Sequence, residues 1–240
     1  MARLLSWPVG LRANFREPLS GPRTIGSGST DSVGGFNQSY GSPFGLWSWR
    51  FSFPPLRGQE FRRYRGLVTA LHGGANAVRV SFCDWDGLSF SQRGLTSTTD
   101  KWRAGQPWNN QMPWDNGRQW ASSNPLVPVV SPAPKDTTEI RLNADFFGYN
   151  LDVGDMIGFS PFHFGLYMIT EMFDLGHYRI WPKLRKALTI EDFATLNPTL
   201  AMRLSSQDAA PLPREAAFAT GLSISLIECL DYDVRDYWKD

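Results

Sequence analysis

The sequence is poor in the residue types on which cross-linking and catalysis most often rest. It holds two cysteines and three histidines in 240 residues. Two thiols make no disulfide framework, and a chain of this length can bury enough apolar surface to fold without one, so Cys83 and Cys229 read as buried thiols. His72, His163 and His177 form no His-x-x-x-His or His-Glu-x-x-His pair, and the cysteines are far from ligand spacing, which argues against a zinc site. An excess of one charge is missing too. Lys and Arg number 24 against 23 Asp and Glu, a formal net charge of +1. That balance argues against a whole-molecule field for nucleic acid or an anionic membrane, and any charged partner must be met by local patches. No hydrophobic run approaches the roughly 20 residues of a membrane-spanning helix, and Met1-Ala-Arg-Leu-Leu-Ser-Trp-Pro has no signal-peptide core. The chain is expected to stay soluble.

Catalytic signatures are equally scarce. Residues 20 to 45 are rich in glycine, yet neither Gly-x-Gly-x-x-Gly nor Gly-x4-Gly-Lys-Ser/Thr occurs there, so no phosphate cradle is expected and the stretch reads as loop with at most short strands. A Gly-x-Ser-x-Gly elbow is absent. Asp84-Trp85-Asp86-Gly87 opens like a calcium loop but lacks the later acidic ligands, and reads instead as a strand-end turn in which aspartate accepts backbone hydrogen bonds. No motif marks a carboxylate pair for glycoside hydrolysis. The expectation is no enzyme, no cofactor and no metal.

What the chain does have is aromatic residues, 16 Phe, 10 Trp and 7 Tyr, with 22 Gly and 17 Pro. Aromatics suit pleated surfaces, and that density of Gly and Pro interrupts helices too often for a bundle. A mostly β protein follows. Trp47, Trp49, Phe51 and Phe53 alternate with smaller or polar residues, the period of a half-buried strand. Phe61, Tyr64, Leu67, Val68 and Leu71 recur at three- and four-residue steps, predicting one amphipathic helix over 59–72 that Gly73-Gly74 ends. Strands are expected over 77–82, 139–147, 156–159, 166–173, 178–181 and 201–204, and over 222–229, where Leu222, Ile224 and Leu226 point inward.

Between them, Trp102, Trp108, Trp114 and Trp120 repeat every six residues in a stretch nearly free of aliphatics. Six is even and not a multiple of 3.6, so the rings share a face only if the chain is extended. Residues 125–134, with four prolines, read as a stiff connector. The expected organisation is an N-terminal β-sandwich over 1–90 that carries the helix and is closed by a strand at 220–230. A Trp/Pro-rich arm over 91–135 and a second β region, barrel-like or a sandwich, over 136–240 complete it.

Two features suit binding. The arginines Arg50, Arg57, Arg62, Arg63 and Arg65 are answered by the acidic end Glu228, Asp231, Asp233, Asp236 and Asp240, and opposite patches fix register between subunits. The tryptophans are interface anchors or, less favoured, platforms for sugar rings. The candidate interface is therefore Arg62, Arg63, Arg65, Trp102, Trp108, Trp114, Trp120, Asp231, Asp233 and Asp236.

The runs Phe51-Ser-Phe-Pro-Pro-Leu-Arg-Gly, Phe61-Arg-Arg-Tyr-Arg-Gly, Leu71-His-Gly-Gly-Ala-Asn-Ala-Val-Arg-Val and Cys83-Asp-Trp-Asp-Gly resemble the amino-terminal half of tail-tip proteins of long-tailed bacteriophages. Gly154-Asp-Met-Ile-Gly, Leu166-Tyr167 and Pro182-Lys-Leu-Arg-Lys-Ala-Leu resemble that group's second half. Within it the distal tail protein is the best match. The resemblance implies a β-sandwich with one helix, a homo-oligomeric ring of six copies joining the tail-tube protein to the baseplate hub protein, and a place in the virion after assembly in the host cytoplasm. The Trp-rich stretch departs from the pattern, which keeps open a carbohydrate-binding receptor module as the alternative.

Overall fold

The computed structural model describes residues 3–24, 28–31, 37–40, 45–82, 84, 86–87, 126–144, 151–160, 163–213 and 218–230. The described chain is mostly β, with two six-stranded sheets and one α-helix. Its strands are β1 (Leu4–Ser6), β2 (Phe15–Thr24), β3 (Gly28–Asp31), β4 (Asn37–Tyr40), β5 (Gly45–Ser52), β6 (Ala77–Ser81), β7 (Leu126–Pro128) and β8 (Glu139–Arg141), then β9 (Met156–Ser160), β10 (Tyr167–Asp174), β11 (His177–Trp181), β12 (Phe193–Thr195), β13 (Thr199–Leu204) and β14 (Ser223–Glu228). Helix α1 spans Gly58–Ala70.

The first sheet runs β1-β6-β13-β14-β5-β2. Its core is the ring set read from the alternation: Trp47, Trp49, Phe51 and Phe53 are all buried in one cluster with Leu222, Ile224 and Leu226 of the C-terminal strand. Burying each such side chain stabilises the fold by roughly 1.5–3 kcal/mol. Strand β14 lies between β13 and β5, so the last strand does enter the sheet begun by the first part of the chain. Strand β13, expected with the second region, also belongs here, paired with β6 and β14. Its Leu200, Met202 and Leu204 extend the same apolar face. Helix α1 covers that face with Phe61, Tyr64 and Leu67. The Tyr64 ring meets Phe53 edge-on at 5.1 Å, and its hydroxyl lies within hydrogen-bonding distance of the carbonyls of Ser223 (2.9 Å) and Pro211 (3.2 Å). Burial pushes the Tyr64 hydroxyl pKa up to about 12, so it stays a donor. Gly73 and Gly74, at φ 63° and 99°, end the helix in a 3-10 turn as their sequence led one to expect.

Residues 20 to 45, read as loop with at most short strands, hold two four-residue strands, β3 and β4, and the end of the longer strand β2. It carries Pro18 and Pro22, which donate no hydrogen bond, and it survives because it is the sheet's edge and its register shifts between those two prolines. The last pair of its ladder is Thr24 opposite Gly45, and β3 and β4 form a separate two-stranded sheet, with Gly28 opposite Tyr40 and Asp31 opposite Asn37.

The second sheet runs β7-β12-β9-β10-β11-β8. Its two edges meet: Val129 bridges Leu142, the Val130 N–H donates to the Arg141 carbonyl at 3.0 Å, and the Asn143 N–H donates to the Pro128 carbonyl at 2.9 Å. The sheet is therefore a closed six-stranded barrel, which removes its edges. Each strand, with the residue that follows it where needed, supplies an inward pair two residues apart: Val127 and Val129, Ile140 and Leu142, Ile157 and Phe159. Tyr167 and Ile169, Tyr178 and Ile180, and Ala194 and Leu196 complete the filling. The proline-rich stretch read as a connector is thus part of the wall, since Leu126–Pro128 pairs with β12.

Glycine matters at Gly158 of β9, where an added Cβ would lie 2.4 Å from Pro198 Cβ and 3.0 Å from the Gly165 carbonyl oxygen. Gly66, inside α1, faces open space. Chemical denaturation should therefore show Gly158→Ala losing about 1–3 kcal/mol through overpacking and Gly66→Ala gaining up to about 1 kcal/mol from helix propensity. Equal effects at the two positions would contradict the packing described.

Candidate functional site

Inward residues alternate along β14 as Leu222, Ile224 and Leu226, and the next step of that period is Glu228. Its side chain is 1% exposed, so Glu228 corrects the reading that placed it in an acidic surface patch. The physical reason is the partner waiting inside. Glu228 Oε2 accepts the Trp47 backbone N–H at 3.0 Å and Arg185 Nη2 at 2.6 Å, and the same Arg185 nitrogen donates to the Gly45 carbonyl at 2.6 Å. Arg185, 5% exposed, follows the barrel strand β11, whereas Gly45, Trp47 and Glu228 belong to the first sheet. The pair therefore crosses from one sheet to the other. Burial pushes the Glu228 pKa up, and the Arg185 charge and the Trp47 N–H pull it back only in part.

Neighbouring bonds tie the same joint. Trp47 Nε1 donates to the Leu166 carbonyl at 2.7 Å, and Met156 and Met168 of the barrel wall pack against the first core. The Arg185 backbone N–H donates to the Tyr167 hydroxyl at 3.1 Å, which lies 2.6 Å from His163 Nε2. Tyr167 Oη and His163 Nε2 share a hydrogen bond, and the phenolic oxygen can give or accept in it. His163 is thus a structural histidine packed on Phe159 and Tyr167. A Glu, Arg, His and Tyr group of this kind has the composition of an active site. Its near-complete burial gives it the geometry of a clamp.

The sequence-derived arginines divide. Arg62 and Arg65, one helical turn apart on α1, are exposed together with Arg57. Arg63 is half-buried and lies over Gly10, where a Cβ would stand 2.5 Å from its Nη1, so it holds the loop after β1 against the helix. Arg50 faces Glu17 across the β5–β2 ladder at 3.7 Å. Trp102, Trp108, Trp114, Trp120, Asp231, Asp233 and Asp236 lie outside the described residues, as does Cys83. Asp84 accepts the Asp86 N–H at 3.1 Å, the expected turn, and Cys229 is buried. His177 sits 3.7 Å from Glu139, and His72 occupies the 3-10 turn. Among the described residues no group of His, Cys, Asp and Glu gathers as a metal site, and no helix is long and apolar enough to cross a membrane.

Two features escaped sequence reasoning. Extending the β14 alternation by one residue would have placed Glu228 inside. The β3–β4 ribbon was signalled only by Gly34-Gly35 between two short polar runs. No protein-family model and no curated protein sequence matches this chain.

The clamp makes a stability prediction. Arg185→Met leaves a buried carboxylate without its cation and should cost about 3–5 kcal/mol, whereas the double variant Arg185→Met/Glu228→Leu should recover most of that loss. Because the folded-state pKa of Glu228 is raised, its stabilising contribution is full below the ordinary value of 4.5 and declines as the pH rises through the folded value. The Arg185→Met loss should accordingly be larger at about pH 8 than at about pH 5. Urea titrations of the three proteins at both pH values measure this; a double variant no more stable than the single one would contradict it.

Proposed function

We propose that this chain is a structural subunit of the tail tip of a long-tailed bacteriophage, of the distal-tail type, working by assembly rather than turnover. In this reading copies form a closed homo-oligomeric ring, six by family analogy, between the tail-tube protein and the baseplate hub protein. The ring is built in the host cytoplasm and kept in the virion. Its residues 91–124, with their four evenly spaced tryptophans, act as an arm on a neighbouring subunit or baseplate protein.

The observation that carries the reading is the β3–β4 ribbon. It pairs only with itself among the described residues, and its sequence, Gly-Ser-Thr-Asp against Asn-Gln-Ser-Tyr, has almost no apolar content. A lone two-stranded ribbon is marginal in water and leaves both of its edges open. Copies arranged around an axis supply each ribbon with neighbours, and a closed circle of contacts is the arrangement that satisfies every copy alike. The near-neutral charge fits a partner that is protein rather than nucleic acid.

Replacing residues 25–44 with a short turn tests this. The expected result is an unchanged circular dichroism spectrum and thermal transition, with the shortened chain sedimenting as a monomer where the full chain forms rings. Rings of unaltered size from the shortened chain would contradict the reading.

A further inference from the structure

We propose that copies of this chain join head to tail, the tip of the β10–β11 hairpin of one copy seating on the arginine face of α1 of the next; this rests on the ring reading above and names its contact. The argument starts from β10. Its first residues are buried in the barrel, but its last five are exposed, as the hairpin runs beyond the part paired with β9. Those residues are not the polar set expected of a solvated loop. Met172, Phe173 and Leu175 are 42%, 41% and 51% exposed.

The tip is built rather than slack. The Phe173 ring is flanked by the Arg179 guanidinium, 4.7 Å from its centroid, and by the His177 ring at 4.8 Å. Asp174 accepts the Leu175 N–H at 2.8 Å. Gly176, at φ +79°, turns the chain where a Cβ would lie 2.4 Å from the Leu142 carbonyl oxygen. An apolar group already held in place loses little conformational freedom on binding, which is what an interface anchor requires.

Charge identifies the occupant. Along the exposed part of the hairpin and its neighbour strand stand Glu139, Glu171 and Asp174, and Asp152 and Asp155 lie on the turn that hydrogen-bonds to Ile169 at the barrel end of the hairpin. Against these five carboxylates are the guanidiniums of Arg141 and Arg179, the latter paired with Glu139 and Glu171. The surface is acidic with an apolar centre. Its complement lies on the same chain: Arg57, Arg62 and Arg65 are exposed on or before α1 and outnumber Glu60 of its first turn, and Arg12 and Arg16 are exposed on the segment running into β2. The loop that Arg63 holds to the helix presents Val9, 87% exposed, and Phe15 at the start of β2 is 56% exposed. Both surfaces stand open in the single chain, so neither covers the other there. A basic surface with apolar residues and an acidic surface with apolar residues, each open, are matched by a second copy in a heterologous contact, the type that generates rings.

Cysteine cross-linking in a Cys83→Ser background tests the pairing. The chain carrying both Leu175→Cys and Arg65→Cys should give a reducible ladder of dimers and higher multimers under mild oxidation, and neither single variant should. Arg62→Glu/Arg65→Glu should weaken association about ten-fold or more, with Asp152→Lys/Asp174→Lys in the same chain restoring it. Cross-linking by Leu175→Cys alone would mean tip meeting tip and would overturn the head-to-tail contact. Rings that form but do not cross-link in the double variant would overturn this contact and leave the ring reading standing. A full chain that stays monomeric at every concentration in light scattering would remove both.

Discussion

The buried ion pair between Arg185 and Glu228 is the constraint on which the arrangement of the two sheets depends. A charge removed from water is costly unless its partner is close and its remaining bonding capacity is largely met. Here the guanidinium reaches both the carboxylate and the Gly45 carbonyl, and the carboxylate oxygen that accepts it also accepts the Trp47 N–H. Gly45 and Trp47 lie on β5, Glu228 ends β14 and Arg185 sits in the bend after β11, so these bonds form together only with barrel and sheet set against each other as here, while Glu228 Oε1 and Arg185 Nε stay buried without a hydrogen-bond partner among the described residues. The indole of Trp47, bonded to Leu166, adds an apolar contact that draws the same surfaces together. Packing supplies the attraction and the ion pair supplies the register.

This division explains which parts of the structure were legible in the sequence. Elements that bury one face and solvate the other write a period into the chain, and β5, β14, β11 and α1 were readable for that reason. Strand β2 was not, because an edge strand tolerates Pro18 and Pro22 and is not obliged to alternate. Strand β7 was hidden by the prolines around it, though Val127 and Val129 keep the inward period of a barrel wall. Glu228 was misplaced for a different reason. A carboxylate looks the same in sequence whether water or a guanidinium faces it, and the arginine that decides the matter lies 43 positions earlier. The arginines of α1 show the converse: one periodic face was visible, but that Arg63 would be drawn onto Gly10 depended on a loop whose path the sequence did not reveal.

In the assembly reading proposed above, the chemistry that matters lies in geometry. The barrel has no free edge, and the first sheet's edges are the proline-bearing β2 and the three-residue β1, so unspecific strand pairing is suppressed. The surfaces left for specific contact are the polar ribbon, the arginine face and the apolar hairpin tip, and they sit on both sides of the clamp. Ring closure requires those surfaces to keep a fixed angle, because a small error per copy accumulates around the circle and yields an open helix instead. In that reading a rigid joint serves ring closure as well as stability.

Differential scanning calorimetry of the full chain at neutral pH tests that rigidity most directly. If the clamp makes sheet and barrel one body, unfolding is a single transition whose calorimetric and van't Hoff enthalpies agree. Two resolved transitions, one for each sheet, would contradict the account.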